Sequence, residues 1–443
     1  MIKKGSLTGL LLFGMFFGAG NLIFPPQLGL ESGQNFWPAI GGFVLSGVGI
    51  AILTLIIGTL NPKGYIDEIS KKIAPWFAVV YLVALYLAIG PFFAIPRTAT
   101  TAFSVGIEPM LPVGSHAIWL FGFTLVYFAF AYLIALNPSK ILDSIGRYLT
   151  PIFALLIVVL VVLGAAKYGS TAPQGATAEY AASAFGAGFL QGYNTLDALA
   201  SVAFSVVAVT TLNQLGFKNK KEYISTIWVV GILVALGFSV LYIGLAFLGN
   251  HFPLNLANLP KGANVGASVL SSATQAIFGP MAQIFLAIMV TVTCFTTTAG
   301  LIVSTGEFFH NTFPKVSYKV YATIFTLVGF AIANLGLNAI IQYSVPALEI
   351  LYPITITIVM IVMVNRFLPL SKPGMQLTIA VVTLIAFASI LGRQFQLTAI
   401  LNLVNALPFA QASLPWLLPA LVGILLSLLL PNKQKTEAFE FEA

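Results

Sequence analysis

Three observations predict an all-α, polytopic membrane fold of about twelve transmembrane helices: a very apolar composition, the number of long apolar runs, and two broken runs five apart. The 443 residues are 58% hydrophobic and 7% charged, with a mean hydropathy of +0.97. Soluble domains carry about 25% charged residues. Here 20 Lys and Arg with 13 Asp and Glu are too few to clothe a 47.2 kDa protein in water. A water-soluble enzyme is excluded, and the lipid bilayer becomes the solvent. The net charge of +7 does not point to nucleic acid, because the basic residues are scattered singly or in pairs among apolar spans. One cysteine, Cys294, excludes an intrachain disulfide and any multi-cysteine metal site.

Runs long enough to cross about 30 Å of hydrocarbon fall at 6–30, 37–61, 75–104, 116–136, 151–168, 187–213, 223–249, 281–305, 317–337, 339–365, 375–392 and 414–431. Lys3 and Lys4 ahead of the first run resemble a signal peptide, but the run is too long and no small-residue cleavage site ends it. Basic residues orient the chain. With a cytoplasmic N-terminus, the inner segments hold Lys3, Lys4, Lys63, Lys71, Lys72, Lys140, Arg147, Lys218, Lys220, Lys221, Lys315, Lys319, Arg366, Lys372, Lys433 and Lys435, sixteen of the 20. The outer segments hold only Lys167, Lys261 and Arg393, so both termini are expected in the cytoplasm of a cell-membrane protein. The outer segments at about 250–280 and 393–413 read as caps with short helices, and 432–443 as a short disordered tail.

Two spans are interrupted. Span 1 carries Gly14, then Gly18-Ala19-Gly20-Asn21 and Pro25-Pro26; span 6 carries Gly186, Gly188 and the polar run Gln191 to Asp197. Glycine lets the backbone unwind, and the paired prolines are expected to break the helical ladder. In lipid such breaks survive only where buried or lining a cavity. Their spacing of five spans makes 1–168 a first five-helix repeat and 187–365 a second, inverted one, with 375–431 adding two helices. Paired breaks in an inverted repeat mark a transporter's binding site at the midplane. The glycines of span 2 (Gly41, Gly42, Gly47 and Gly49) read instead as helix-packing residues. A free helix N-terminus offers amides to a carboxylate, and a free C-terminus offers carbonyls to a small hard cation such as sodium.

The stretches Phe13 to Pro26, Gly90 to Thr100, Gly192 to Ala200 and Cys294 to Gly300 resemble those of the bacterial branched-chain amino acid:cation symporters, over essentially the whole chain. The resemblance implies the leucine-transporter fold of five plus five inverted repeats and two extra helices. It also implies uptake of leucine, isoleucine and valine driven by sodium or by protons, with no other cofactor and no protein partner. It places the substrate carboxylate on the amides of Gly18, Ala19, Gly20 and Asn21, and the ammonium and side chain around Gly192, Tyr193 and Asn194. A sodium site would use the carbonyls of Gly14, Phe17 and Thr293 with the hydroxyls of Thr296 and Thr297. The alternative for these threonines is back-bonding to a helix carbonyl.

Arg97, Asp197 and Glu349 lie well inside spans. Each costs at least about 2.5–3.5 kcal/mol on insertion scales, which marks them as gate or coupling residues. Arg97 is expected to pair with one carboxylate at an outer gate, leaving the other to a cation or proton. Asp197 equally suits an N-cap. Glu307 reads as solvated or gate-lining, and His116, His251 and His310 form no relay. No catalytic constellation appears, so an intramembrane enzyme is not indicated. An ion channel would want a symmetric pore rather than paired breaks in one subunit.

Overall fold

The computed structural model describes residues 16–431 except 62, 113–115, 137–139, 214–219 and 261, with the backbone alone at 140–151, 207, 210–211, 213 and 220. Gly14, Phe13, Lys3, Lys4 and the tail 432–443 thus lie outside the described residues. All regular elements among the described residues are helical.

Span 1 supplies α1 (Ala19–Ser32), and span 2 supplies α2 (Phe36–Val44) and α3 (Ile50–Thr59), joined by a π-helical turn at Leu45–Gly49. A short amphipathic helix, α4 (Gly64–Lys72), follows. Span 3 is α5 (Pro75–Leu87), a π turn at Ala88–Phe92 and α6 (Ala94–Ala102). Spans 4 and 5 are α7 (His116–Leu136) and α8 (Lys140–Tyr168). After the short α9 (Ala178–Ala182), span 6 comes as α10 (Ala184–Tyr193) and α11 (Asp197–Asn213), and span 7 as α12 (Lys220–His251). Helix α13 (Val265–Phe278) occupies the segment read as a cap. Spans 8 to 10 are α14 (Ala282–Thr312), α15 (Tyr318–Ala333) and α16 (Leu337–Phe367), and span 11 is α17 (Lys372–Gln394). A surface helix, α18 (Thr398–Asn405), precedes span 12, α19 (Leu417–Leu429).

Seven helical stretches are long and apolar enough to cross a membrane. One of them, Ala19–Thr59, joins parts of two predicted spans. Spans 5, 9 and 12 appear as shorter apolar helices, and span 6 escapes a length criterion because it is cut in two. About twelve spans therefore accommodate every apolar helix except α13.

Three expectations need correction. Pro25 and Pro26 do not end a helix: α1 runs through both to Ser32, and the break lies upstream at Phe17–Gly18. Each proline removes one N–H from the ladder, which the neighbouring backbone tolerates because α1 is buried on nearly all sides. Of the span 2 glycines, Gly42 does pack, since a methyl there would overlap the Phe185 carbonyl of α10. Gly41 has nothing within 4 Å, and Gly49 meets only Leu45 and Val44 of its own span. Finally, span 3 is broken too. Gly90, with φ −94° and ψ −124°, leaves the helical region ahead of Pro91.

The broken spans are held by direct backbone contact. Helix α1 lies against α12 and α13, α10 against α2, and α11 against α3. Methyl groups on Gly29, Gly249 or Gly266 would overlap carbonyls of Ala246, Pro26 or Ile23 respectively. With lipid outside, no hydrophobic force favours helix association, and small residues let van der Waals contact supply it. The two breaks thereby face each other at the centre of the bundle.

Candidate functional site

At the first break Gly18 is extended (φ −130°, ψ −165°) and α1 begins at Ala19. The Gly18 N–H donates to Asn21 Oδ1 at 2.9 Å, which caps the start of the helix. Ala19, Gly20 and Asn21 form the first turn of α1, where helix N–H groups lack the intrahelical partners of later turns. All three residues, with Gly18, line a small cavity of about 40 Å³.

At the second break α10 ends at Tyr193. Leu196 takes a left-handed backbone (φ 66°), and α11 starts at Asp197. A non-glycine residue there costs on the order of 1–3 kcal/mol. The turn is held by Thr195, whose Oγ1 donates to the Gly192 carbonyl at 2.9 Å and accepts the Asp197 N–H at 3.3 Å.

Asp197 ties the breaks together. Its Oδ2 accepts from Asn21 Nδ2 of α1 at 2.9 Å and from Tyr242 Oη of α12 at 2.7 Å. It therefore joins spans 1, 6 and 7, and its carboxylate is turned toward those partners rather than toward an N-cap of α11. Arg97, 3% exposed on α6, takes no carboxylate as its partner. Its Nη1 donates to the Asn194 carbonyl at 2.5 Å and its Nη2 to the Thr195 carbonyl at 3.3 Å, with the Phe24 ring centroid 5.3 Å from Cζ. The expected ion pair gives way because the end of α10 presents free carbonyls and the negative pole of a half-helix, while Asp197 is already engaged by two donors. Glu349 is elsewhere. It pairs with Arg393 of α17 beside a second cavity that Tyr193 and Trp416 also line.

The other expected site residues divide. Gly192 abuts span 2, where a methyl would overlap Ser46 Oγ. Tyr193 stacks on Tyr352 with centroids 4.1 Å apart, and Asn194 gives its carbonyl to Arg97. On span 6 the cavity is lined by Thr195, Leu196, Asp197, Ala200 and Phe204. Ala200 and Phe204 follow Asp197 at helical spacing (three and seven residues on), so the pattern was present in the sequence. Span 3 contributes Ile89, Ala94, Arg97 and Thr98, through the Gly90 break that the Gly-Pro pair signals. Phe16 and Phe204 meet edge-to-face at 5.3 Å across the cavity.

Of the cation ligands read from the sequence, Gly14 lies outside the described residues. The Phe17 ring packs against Phe153 and Phe238. The Thr293 carbonyl accepts from Thr296 Oγ1 at 2.9 Å and Thr297 Oγ1 at 3.2 Å, so both hydroxyls back-bond. Thr297 alone of the threonines of α14 reaches the cavity; a methyl on Gly18 would sit 3.4 Å from its Cγ2. Among the described residues no group of three or more His, Cys, Asp or Glu is arranged to hold a metal.

A protein of Staphylococcus haemolyticus named as a branched-chain amino acid carrier is 40% identical over 433 residues, 96% of each chain. One of Staphylococcus aureus with the same description is 39% identical over the full length of both. Among solved structures, the chain shares its fold with Mhp1, a nucleobase-cation-symport-1 family transporter, in a closed conformation with bromovinylhydantoin bound. That match has a TM-score of 0.62 at 14% identity, over 96% of this chain and 91% of that one. MhsT in complex with L-phenylalanine gives a TM-score of 0.57 at 17% identity, over 95% and 97%. These relatives are membrane transporters, not enzymes. A family model described as branched-chain amino acid transport protein matches residues 1–434, and the chain belongs to that family.

Proposed function

We propose that the protein imports leucine, isoleucine and valine across the bacterial cell membrane by sodium symport with alternating access, with both termini cytoplasmic. The reading rests chiefly on one observation: the amide end of α1 opens into a small cavity beside the end of α10. Those amides suit a substrate carboxylate. Phe16, Ile89, Phe204 and Leu301 make the same cavity apolar enough for an aliphatic side chain. Such a wall separates the three substrates by only about 1–3 kcal/mol, so a mixed specificity is expected. At about 40 Å³ the cavity has room for roughly three waters. Admitting leucine therefore requires the Phe16–Phe204 contact to open, which is the motion alternating access needs. Residues 1–168 and 187–365 would be the two inverted repeats that rock against each other.

Sodium is favoured by Thr297 beside the unwound Phe17–Gly18 segment. Asp197 supports a second reading, coupling to a proton, because it is the one carboxylate lining the cavity among the described residues. Purified protein in liposomes separates the two. An inward sodium gradient should drive accumulation of labelled leucine, and an imposed proton gradient alone should not. Thr297→Val keeps the shape and removes one oxygen ligand. It should raise the sodium concentration for half-maximal uptake about tenfold, equivalent to about 1.4 kcal/mol. Equal uptake without sodium overturns the sodium assignment in favour of the proton.

A further inference from the structure

The guanidinium of Arg97 is only partly used by the contacts that hold it. Nη1 makes the short bond to the Asn194 carbonyl and Nη2 a long one, 3.3 Å, to the Thr195 carbonyl. Nε has no hydrogen-bond partner although the side chain is 3% exposed. A buried donor left unpaired costs about 1–3 kcal/mol, so a protein that keeps one at its central cavity calls for a reason. Nε and Nη2 form one edge of the planar fork, the edge that grips a carboxylate side-on with two parallel hydrogen bonds. That edge belongs to a residue lining the cavity. It also adjoins the start of α1, because a methyl on Gly20 would sit 3.2 Å from Nη2. The guanidinium edge and the first-turn amides of Ala19 and Gly20 therefore converge on the same part of the cavity.

We propose that Arg97 is a ligand of the substrate carboxylate, binding it side-on through Nε and Nη2 while Nη1 stays anchored on Asn194. The helix end and the arginine then form one two-part anion receptor. The positive charge needed for recognition is carried into the membrane already tethered to the span 6 break. Phe24 beneath the fork and Gly20 beside it fix its plane. A carboxylate arriving in the cavity exchanges the long Nη2 bond for a short charge-assisted one and satisfies Nε.

The assignment rests on the amino acid reading above, and the test separates the two. Binding of leucine and of leucinol, which keeps the ammonium and side chain but has a hydroxyl in place of the carboxylate, is measured on the full-length protein in sodium. The variants are Arg97→Lys and Arg97→Gln. Wild type should prefer leucine by about 100-fold, the worth of two charge-assisted bonds at about 1.4 kcal/mol per decade. Arg97→Lys keeps a cation for the carbonyls and loses the fork, so the preference should fall about tenfold. In Arg97→Gln it should fall further, to what the amide end of α1 supplies alone, with leucinol binding little changed. If Arg97→Gln does not fold, Arg97→Lys decides alone. A lysine variant that keeps the full preference overturns the assignment and leaves the amino acid reading standing. A wild type that binds neither compound overturns both.

Discussion

Asp197→Asn should lower leucine uptake by at least about 100-fold while the protein remains folded. The carboxylate accepts from Asn21 and Tyr242, so it links the start of α1, the start of α11 and the middle of α12. Asn21 in turn caps the Gly18 amide, which makes Asp197 the far end of a relay that sets how the first break is aimed. Hydrogen bonds to a charged group are worth about 1.5–3 kcal/mol each, roughly twice a neutral bond. Both donors reach the same oxygen, Oδ2, so an asparagine can still accept them through its amide oxygen, but only as two weaker, neutral bonds. It also leaves the Arg97 charge without its nearby counter-charge, in a medium where such charges are poorly solvated. Uptake within about threefold of wild type, in protein of normal thermal stability, would show that the carboxylate is not needed to align the breaks.

The second large effect falls on the packing rather than the chemistry. Gly29→Ala should destabilise the protein by about 3 kcal/mol or more, seen as lost folded yield or a lowered thermal midpoint in detergent. Alanine is the better helix former by about 0.5–1 kcal/mol, so propensity alone predicts the opposite sign. Contact decides the matter. The new methyl overlaps the Ala246 carbonyl oxygen and lies 2.7 Å from its carbon and 2.8 Å from the Asn250 nitrogen. All three atoms are backbone and cannot rotate away, so α1 and α12 must separate, and overpacking of this kind costs about 1–3 kcal/mol even where side chains can adjust. Separation would also strain the Asn250 side-chain bonds to the Gly29 and Gly33 carbonyls. Gly41→Ala is the control: nothing lies within 4 Å of its methyl, and stability should hold or rise slightly. Equal stability of the two variants would mean that the α1–α12 contact has room for a methyl group.

Much of the architecture was legible because lipid enforces simple rules. Span 4 was expected at 116–136 and is His116–Leu136, and the cuts in spans 1 and 6 fall where glycine and polar residues interrupt apolar runs. The prolines misled for a physical reason. A helix packed on all sides can lose two N–H donors and continue, whereas Gly18 leaves the helical region with no proline present. The third break at Gly90 carried a signal of the same kind, in the Gly90-Pro91 pair. What could not be read was partnership. Arg97, Asp197 and Glu349 look alike as intramembrane charges, and only the fold shows Arg97 on carbonyls, Asp197 on an amide and a phenol, and Glu349 on Arg393. Likewise Gly192, Tyr193 and Asn194 sit at the break as expected, but the cavity takes the next three residues, because the turn through the left-handed Leu196 redirects the chain between α10 and α11.

The central claim is that the substrate lies between the two broken helices, and a structure solved with leucine and sodium tests it most directly. Leucine density is predicted with its carboxylate against Ala19, Gly20 and Arg97 and its side chain between Phe16 and Phe204, with those two rings moved apart. Leucine bound only in the cavity beside Glu349 and Arg393, with the start of α1 unliganded, would contradict the account.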